Sequence, residues 1–144
     1  MNTMALFTCA RLLEQGRRLD VLSTGISLLA LGAAFYAALL GAALMASVLV
    51  AVLLSGLLEK YFAIRVALDA ALFARMALAG DELPSHTQQM DAALVGLGLM
   101  PASAAGRDWS LRSQGAMRLL RRQVYALLGQ VLIAALAIAL QLIL

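Results

Sequence analysis

From Val21 to Leu58 the chain runs for 38 residues without a formal charge. Crossing a hydrocarbon core of about 30 Å takes roughly 20 apolar residues in helical form, so this run is nearly twice what one crossing needs. Water cannot be its solvent. The whole chain is 63% hydrophobic and 13% charged, against about half and about a quarter in soluble domains. A chain of 144 residues buries only about two thirds of its surface on folding, so in water it would expose large apolar patches. Lipid removes that cost.

Two crossings of about 18 residues fit the run if the chain reverses between Leu39 and Ala42, where Gly41 can take the positive φ of a tight turn. That turn contains no polar side chain. One long tilted helix through the same stretch is the competing reading. It would leave Arg11, Arg17 and Arg18 on the side opposite to Lys60, Arg65 and Arg75, with no orientational bias. The reversal places all six on one side. A second uncharged run, Val124 to Leu144, is 21 residues long and follows Arg118, Arg121 and Arg122. Every one of the eleven basic residues then faces the cytoplasm, as the positive-inside rule requires.

The spacing of apolar residues predicts helix throughout. Met4, Leu6, Phe7, Leu12, Leu13 and Leu19 keep a mostly helical period, with Glu14 and Arg18 as an i, i+4 pair, so a first helix is expected from about Thr3 to Leu40. No cleavable signal peptide is expected, because Arg11, Glu14, Arg17, Arg18 and Asp20 interrupt the start. The second helix is expected to run past Leu58 through Lys60, Arg65, Asp69 and Arg75 and to stop at Gly80. Its later half carries a broad apolar stripe through Tyr61, Phe62, Ile64, Leu68, Leu72, Phe73 and Met76, which must pack on its own chain, a partner or the membrane surface. Gly80 to Ser85 reads as loop, Ser85 as the cap of a helix through Leu99, and a last helix begins near Asp108. The expected fold is an all-α integral membrane protein in four segments. Residues 1–20 form a cytoplasmic or interfacial helix, 21–58 a transmembrane helical hairpin, 59–123 a short cytoplasmic helical segment and 124–144 a transmembrane helix.

Candidate chemistry is sparse. The net charge of +3 does not point to nucleic acid, because the basic residues stand in ones and twos beside apolar runs. The single cysteine, Cys9, excludes an intrachain disulfide and argues against a cysteine-based metal cluster. Within residues 21–58 and 124–144 no ionisable side chain marks a transport or catalytic site. The polar residues there are Ser23, Thr24, Ser27, Ser47, Ser55, Gln130 and Gln141. Gln130 and Gln141 lie eleven residues apart and share a helix face with Ala134 and Ala137. A glutamine in hydrocarbon must find a partner, so this face is expected to touch protein. Ala30, Ala34, Ala38, Ala42 and Ala46 recur every fourth residue, and small residues at that spacing let helices approach closely.

Outside the apolar runs, His86 stands near Asp81 and Glu82, too few ligands for a metal site. Trp109 lies about fifteen residues, some 22 Å of helix, before the last apolar run, and is expected to make a protein contact or an interfacial anchor. Arg118, Arg121 and Arg122 form the one basic cluster, expected to meet anionic lipid headgroups. Asp69, Asp91 and Asp108 have no spacing that forces them together into an active site, and no phosphate loop, nucleophile elbow, zinc helix or haem motif occurs.

The sequence therefore predicts no enzyme, no cofactor and no metal. It predicts a small subunit that binds, anchors or stabilises a larger membrane complex, with lipid and a membrane protein or a second copy of itself as partners. An uncoupled pore or a holin-like protein built by oligomerisation is the alternative. Ten of the eleven basic residues are arginine and alanine and leucine abound, which suggests a GC-rich bacterial gene. The expected location is the bacterial inner membrane, multi-pass, with the amino terminus in the cytoplasm.

Overall fold

A computed structural model describes residues 3–143. Met1 and Asn2, the start of the first segment, and Leu144, the last residue of the final apolar run, lie outside the described residues. Among those described the fold is entirely helical: α1 (Thr3–Glu14), α2 (Gly16–Leu39), α3 (Ala43–Ala77), α4 (Leu83–Gly96) and α5 (Trp109–Ile143), with short 3₁₀ turns at Gly80–Glu82 and Ala102–Ala104. Three stretches are long and apolar enough to cross a membrane: Thr3–Leu39, Ala43–Ala77 and Trp109–Ile143.

The first of these is nearly continuous, broken only at Gln15, whose N–H bonds to the Leu12 carbonyl at 3.2 Å. The break between α2 and α3 is sharper. Gly41 has φ of 71°, Gly41 N–H donates to the Ala38 carbonyl at 3.1 Å and Ala42 N–H to the Ala37 carbonyl at 2.9 Å. This pair of bonds is the Schellman arrangement, which closes a helix end by backbone alone. It explains how a turn without a polar side chain leaves few bare carbonyls. Leu97 to Leu99 ends α4 in the same way, with Gly98 at φ 69° and Leu99 N–H bonded to the Leu94 carbonyl.

Helix α4 begins three residues earlier than the Ser85 cap predicts. Pro84 sits in its first turn, where a missing N–H costs nothing, and the Ser85 hydroxyl donates back to the Glu82 carbonyl at 2.9 Å instead of capping. Asp108 precedes α5, its carboxylate accepting from the Ser110 N–H at 3.1 Å and from the Ser110 hydroxyl.

Helices α2 and α3 run side by side in opposite directions, and α5 lies alongside α2 in the same direction. The buried positions recur at sevens: Cys9, Gly16, Ser23, Ala30 and Ala37; Val52, Glu59, Val66 and Phe73; Ala116, Gln123, Gln130 and Ala137. Such a repeat keeps one seam of each helix facing its neighbours. Towards the turn the seam is filled mainly by Ala30, Ala34, Ala37, Val52 and Ala137, and large residues such as Leu29, Phe35, Leu54 and Leu132 stand outside. At the other end the interior holds Leu6, Leu13, Val66, Phe73, Met76 and Trp109.

Candidate functional site: a buried polar seam between three helices

Between these two ends the core is polar. Gln130 of α5 reaches α2, where its Oε1 accepts from the Ser23 hydroxyl at 2.7 Å. Its Nε2 donates to Ser27 Oγ at 2.9 Å and to the Ser23 carbonyl at 3.3 Å. Gly56 of α3 makes room for this knot. A Cβ there would stand 2.3 Å from Ser27 Oγ and 2.7 Å from Gln130 Nε2, well inside van der Waals contact. The neighbouring Ser55 hydroxyl donates to the Ala126 carbonyl at 3.3 Å, tying α3 to α5.

Two helical turns away lies a second knot. Gln123 Nε2 donates to Glu59 Oε1 at 2.6 Å and to the Gly16 carbonyl at 2.8 Å, so one amide joins α2, α3 and α5. Glu59, Gln123 and Gln130 are all at 0% exposure. Gly16 is again a requirement of space, because a Cβ would approach Gln123 Oε1 to 2.7 Å and Val66 Cγ1 to 2.8 Å. Glu59 Oε2 and Gln123 Oε1 have no hydrogen-bond partner. Both are acceptors, so the knot is short of donors.

On its flank Lys60 binds the Asp20 carboxylate and donates to Thr24 Oγ1 at 2.7 Å, closing α2 onto α3 with two partly exposed charges. Asp20, Glu59, Lys60 and Arg122 are also the last charged residues before the uncharged parts of α2, α3 and α5. The charge boundary and the polar knot therefore share one level of the bundle. From Val21 to the end of α2 is about 28 Å of helix, close to a hydrocarbon thickness.

The sequence reading gives Glu59 no role beyond opening the helical segment 59–123; in the structure its ionisable side chain lies wholly inside the helix interface. The seven-residue spacing of Val52, Glu59, Val66 and Phe73 was the available signal, and the charge masked it. The alanines at every fourth residue do not form one face either. Ala30 and Ala34 are buried, whereas Ala38 and Ala42 are exposed and Ala46 is half-buried. Steps of four drift around a 3.6-residue helix, and burial passes to Ala37 instead.

The glutamine face likewise divides. Gln130 and Ala137 are buried and Ala134 is half-buried, but Gln141 is exposed. Eleven residues beyond Gln130 it has reached the turn end of the bundle. Arg118, Arg121 and Arg122 are exposed on α5. His86 pairs with Glu82 on the surface at 3.2 Å.

Trp109 is 7% exposed. Its indole N–H donates to Thr87 Oγ1 at 3.1 Å, and its ring meets Phe73 edge-on at 5.2 Å. Arg112 lies over the same ring at 5.2 Å and binds Asp91 at 2.8 Å. Burial alone would push the Asp91 carboxyl up. The bonds from Arg112 and from the Gly106 N–H at 2.8 Å outweigh it and hold the group below the usual carboxylate range. This cluster pins α4 and its following loop to α3 and α5.

Chemically, the amides, hydroxyls and single carboxyl of the seam bind one another and the helix backbones, and so join the three helices. Comparison with family models, curated proteins and solved structures finds no match to this chain.

Proposed function

We propose that the chain is a non-catalytic membrane subunit that binds and stabilises another protein through its charged end. On this reading residues 21–58 form a transmembrane hairpin and 124–143 a third crossing. The amino terminus and residues 59–123 lie in the cytoplasm of a bacterial cell. The concentration of basic residues at one end of the bundle supports that orientation.

One observation carries the subunit reading. Beyond the charge boundary, where water replaces lipid, Met4, Leu12, Leu68, Leu97, Leu99 and Leu111 remain exposed, Leu97 to 72%. Large apolar side chains left exposed on the extramembrane end of a small chain are material for a protein-interaction surface. An oligomeric pore has less support, because the buried polar side chains of the seam turn inward on one another rather than outward towards a conduit.

Extraction of the tagged full chain from its host in a mild detergent, followed by mass spectrometry of what stays bound, tests the proposal. A heterologous protein at constant stoichiometry is expected. A clean homo-oligomer that releases dye from liposomes overturns the subunit reading in favour of a pore. The hairpin is tested separately by Leu40→Cys, which should react with an impermeant thiol reagent applied to intact cells while native Cys9 stays protected.

A further inference from the structure

A groove of about 750 Å³ opens between the α1–α2 helix and α3, just past the charge boundary. Its α3 wall is made of Ala67, Ala70, Ala71 and Ala74, side chains too short to fill it. Its opposite rim carries Arg11, Arg17 and Arg18, with Glu14 the one acid. Glu14 is already bound by Arg11 at 2.9 Å. Arg17 and Arg18 have no ion pair among the described residues. The groove ends at Val21, the first residue of the uncharged run, so its lower mouth meets the level at which a bilayer's headgroups begin.

We infer that this groove holds one anionic glycerophospholipid, its phosphate taken by Arg17 and Arg18 and its glycerol backbone laid on the alanine wall. The charges fit: two unpaired guanidiniums offer planar pairs of N–H donors, and a phosphodiester presents the oxygens that match them. The shape fits as well. A free phosphate needs no apolar wall, whereas a lipid has an apolar body beside its charge and chains that must descend past Val21. The site is separate from the arginines of α5, which stand exposed on a single helix face. The inference rests on the membrane reading above and adds a ligand class to it.

The test uses the full chain purified in mild detergent and native mass spectrometry with added phosphatidylglycerol or phosphatidylcholine. The wild type is expected to retain one phosphatidylglycerol in preference to phosphatidylcholine. Arg17→Gln with Arg18→Gln should weaken that retention by about tenfold or more, and Ala71→Leu, which fills the groove at an exposed position without changing charge, should weaken it too. Arg121→Gln with Arg122→Gln should leave it nearly intact. Helix content by circular dichroism confirms that each variant is folded. Equal retention of the two lipids, loss in the Arg121/Arg122 variant as large as in the Arg17/Arg18 variant, or displacement by inorganic phosphate overturns the inference. A chain that retains both lipids alike yet incorporates into nanodiscs overturns the groove and leaves the membrane reading standing; one that does not incorporate overturns both.

Discussion

The two ends of the bundle use the same helices but differ in the size of the side chains that fill their interiors. Near the turn, alanines are inside and Leu28, Leu29, Phe35 and Leu132 are outside; beyond the charge boundary Leu6, Leu13, Phe73 and Trp109 are inside. Neither helix propensity nor the seven-residue seam changes between them. What changes, on the reading proposed here, is the solvent. In lipid, burying a leucine gains little, so small residues that bring backbones together fill the interface. In water the large residues are driven in. The knot of Gly16, Glu59 and Gln123 marks the crossover.

Breaking the comparison calls for matched truncations in full-length protein held in micelles, with stability read from denaturant or thermal unfolding. Leu13→Ala, at 1% exposure, should cost about 2–5 kcal/mol through lost transfer energy and a cavity. Leu29→Ala, at 78% exposure, should stay within about 0.5 kcal/mol. Equal losses would mean that the turn end has no distinct solvent. Next in size is Gly56→Leu, which forces a side chain into the space of Ser27 and Gln130 and should cost about 1–3 kcal/mol by overpacking. Gly32→Leu, with nothing within 4 Å of its Cβ position, is the matched control and should be close to neutral.

The helices and the three long apolar stretches were legible because hydrophobic runs and their charged borders are local properties of sequence. The helix break within Leu39 to Ala42 was legible through Gly41, though its bonding was not, since a Schellman closure uses backbone groups that every residue has. Gln130 announced itself as a polar side chain in an apolar run. Glu59 did not, because charge at the edge of such a run usually means exposure, and only its register with Val52 and Val66 says otherwise. The role of Gly16 was equally hidden. It depends on how near Gln123 comes, across a separation of 107 residues, and no local pattern encodes that. Trp109 could be read only as a protein contact or an interfacial anchor, for Phe73 of α3 and Thr87 of α4 come to it through the tertiary fold.

The crossover knot can be sharpened by changing its donors without changing its shape. Glu59→Gln keeps the side-chain volume and brings an NH₂ group to a site where Gln123 Oε1 lacks a donor. It is expected to match the wild type or exceed it by about 1 kcal/mol, the net worth of one hydrogen bond. Glu59→Ala removes the acceptor of Gln123 Nε2 and should lose about 1–3 kcal/mol. A Glu59→Gln protein as unstable as Glu59→Ala would show that the carboxyl itself, rather than hydrogen bonding, holds the three helices together.

The smallest effect is expected outside the bundle, where Asp91 joins α4 to α5. Its carboxyl is held below the usual range in the folded chain by Arg112 and the Gly106 N–H, so folding favours the ionised form. The linked stability is present in full above about pH 4, near the unfolded value, and is lost as pH falls through the lower folded value. Because Arg112 also lies over the Trp109 ring, tryptophan fluorescence reports the same event. Acid titration of the wild type should show a change in Trp109 emission below about pH 4 that Asp91→Asn removes, with the helical signal of the three long helices unaltered. If the long helices unfold together with that change, α4 is not an independently docked element, and the contrast between the two ends extends to a third region that behaves as part of the charged one.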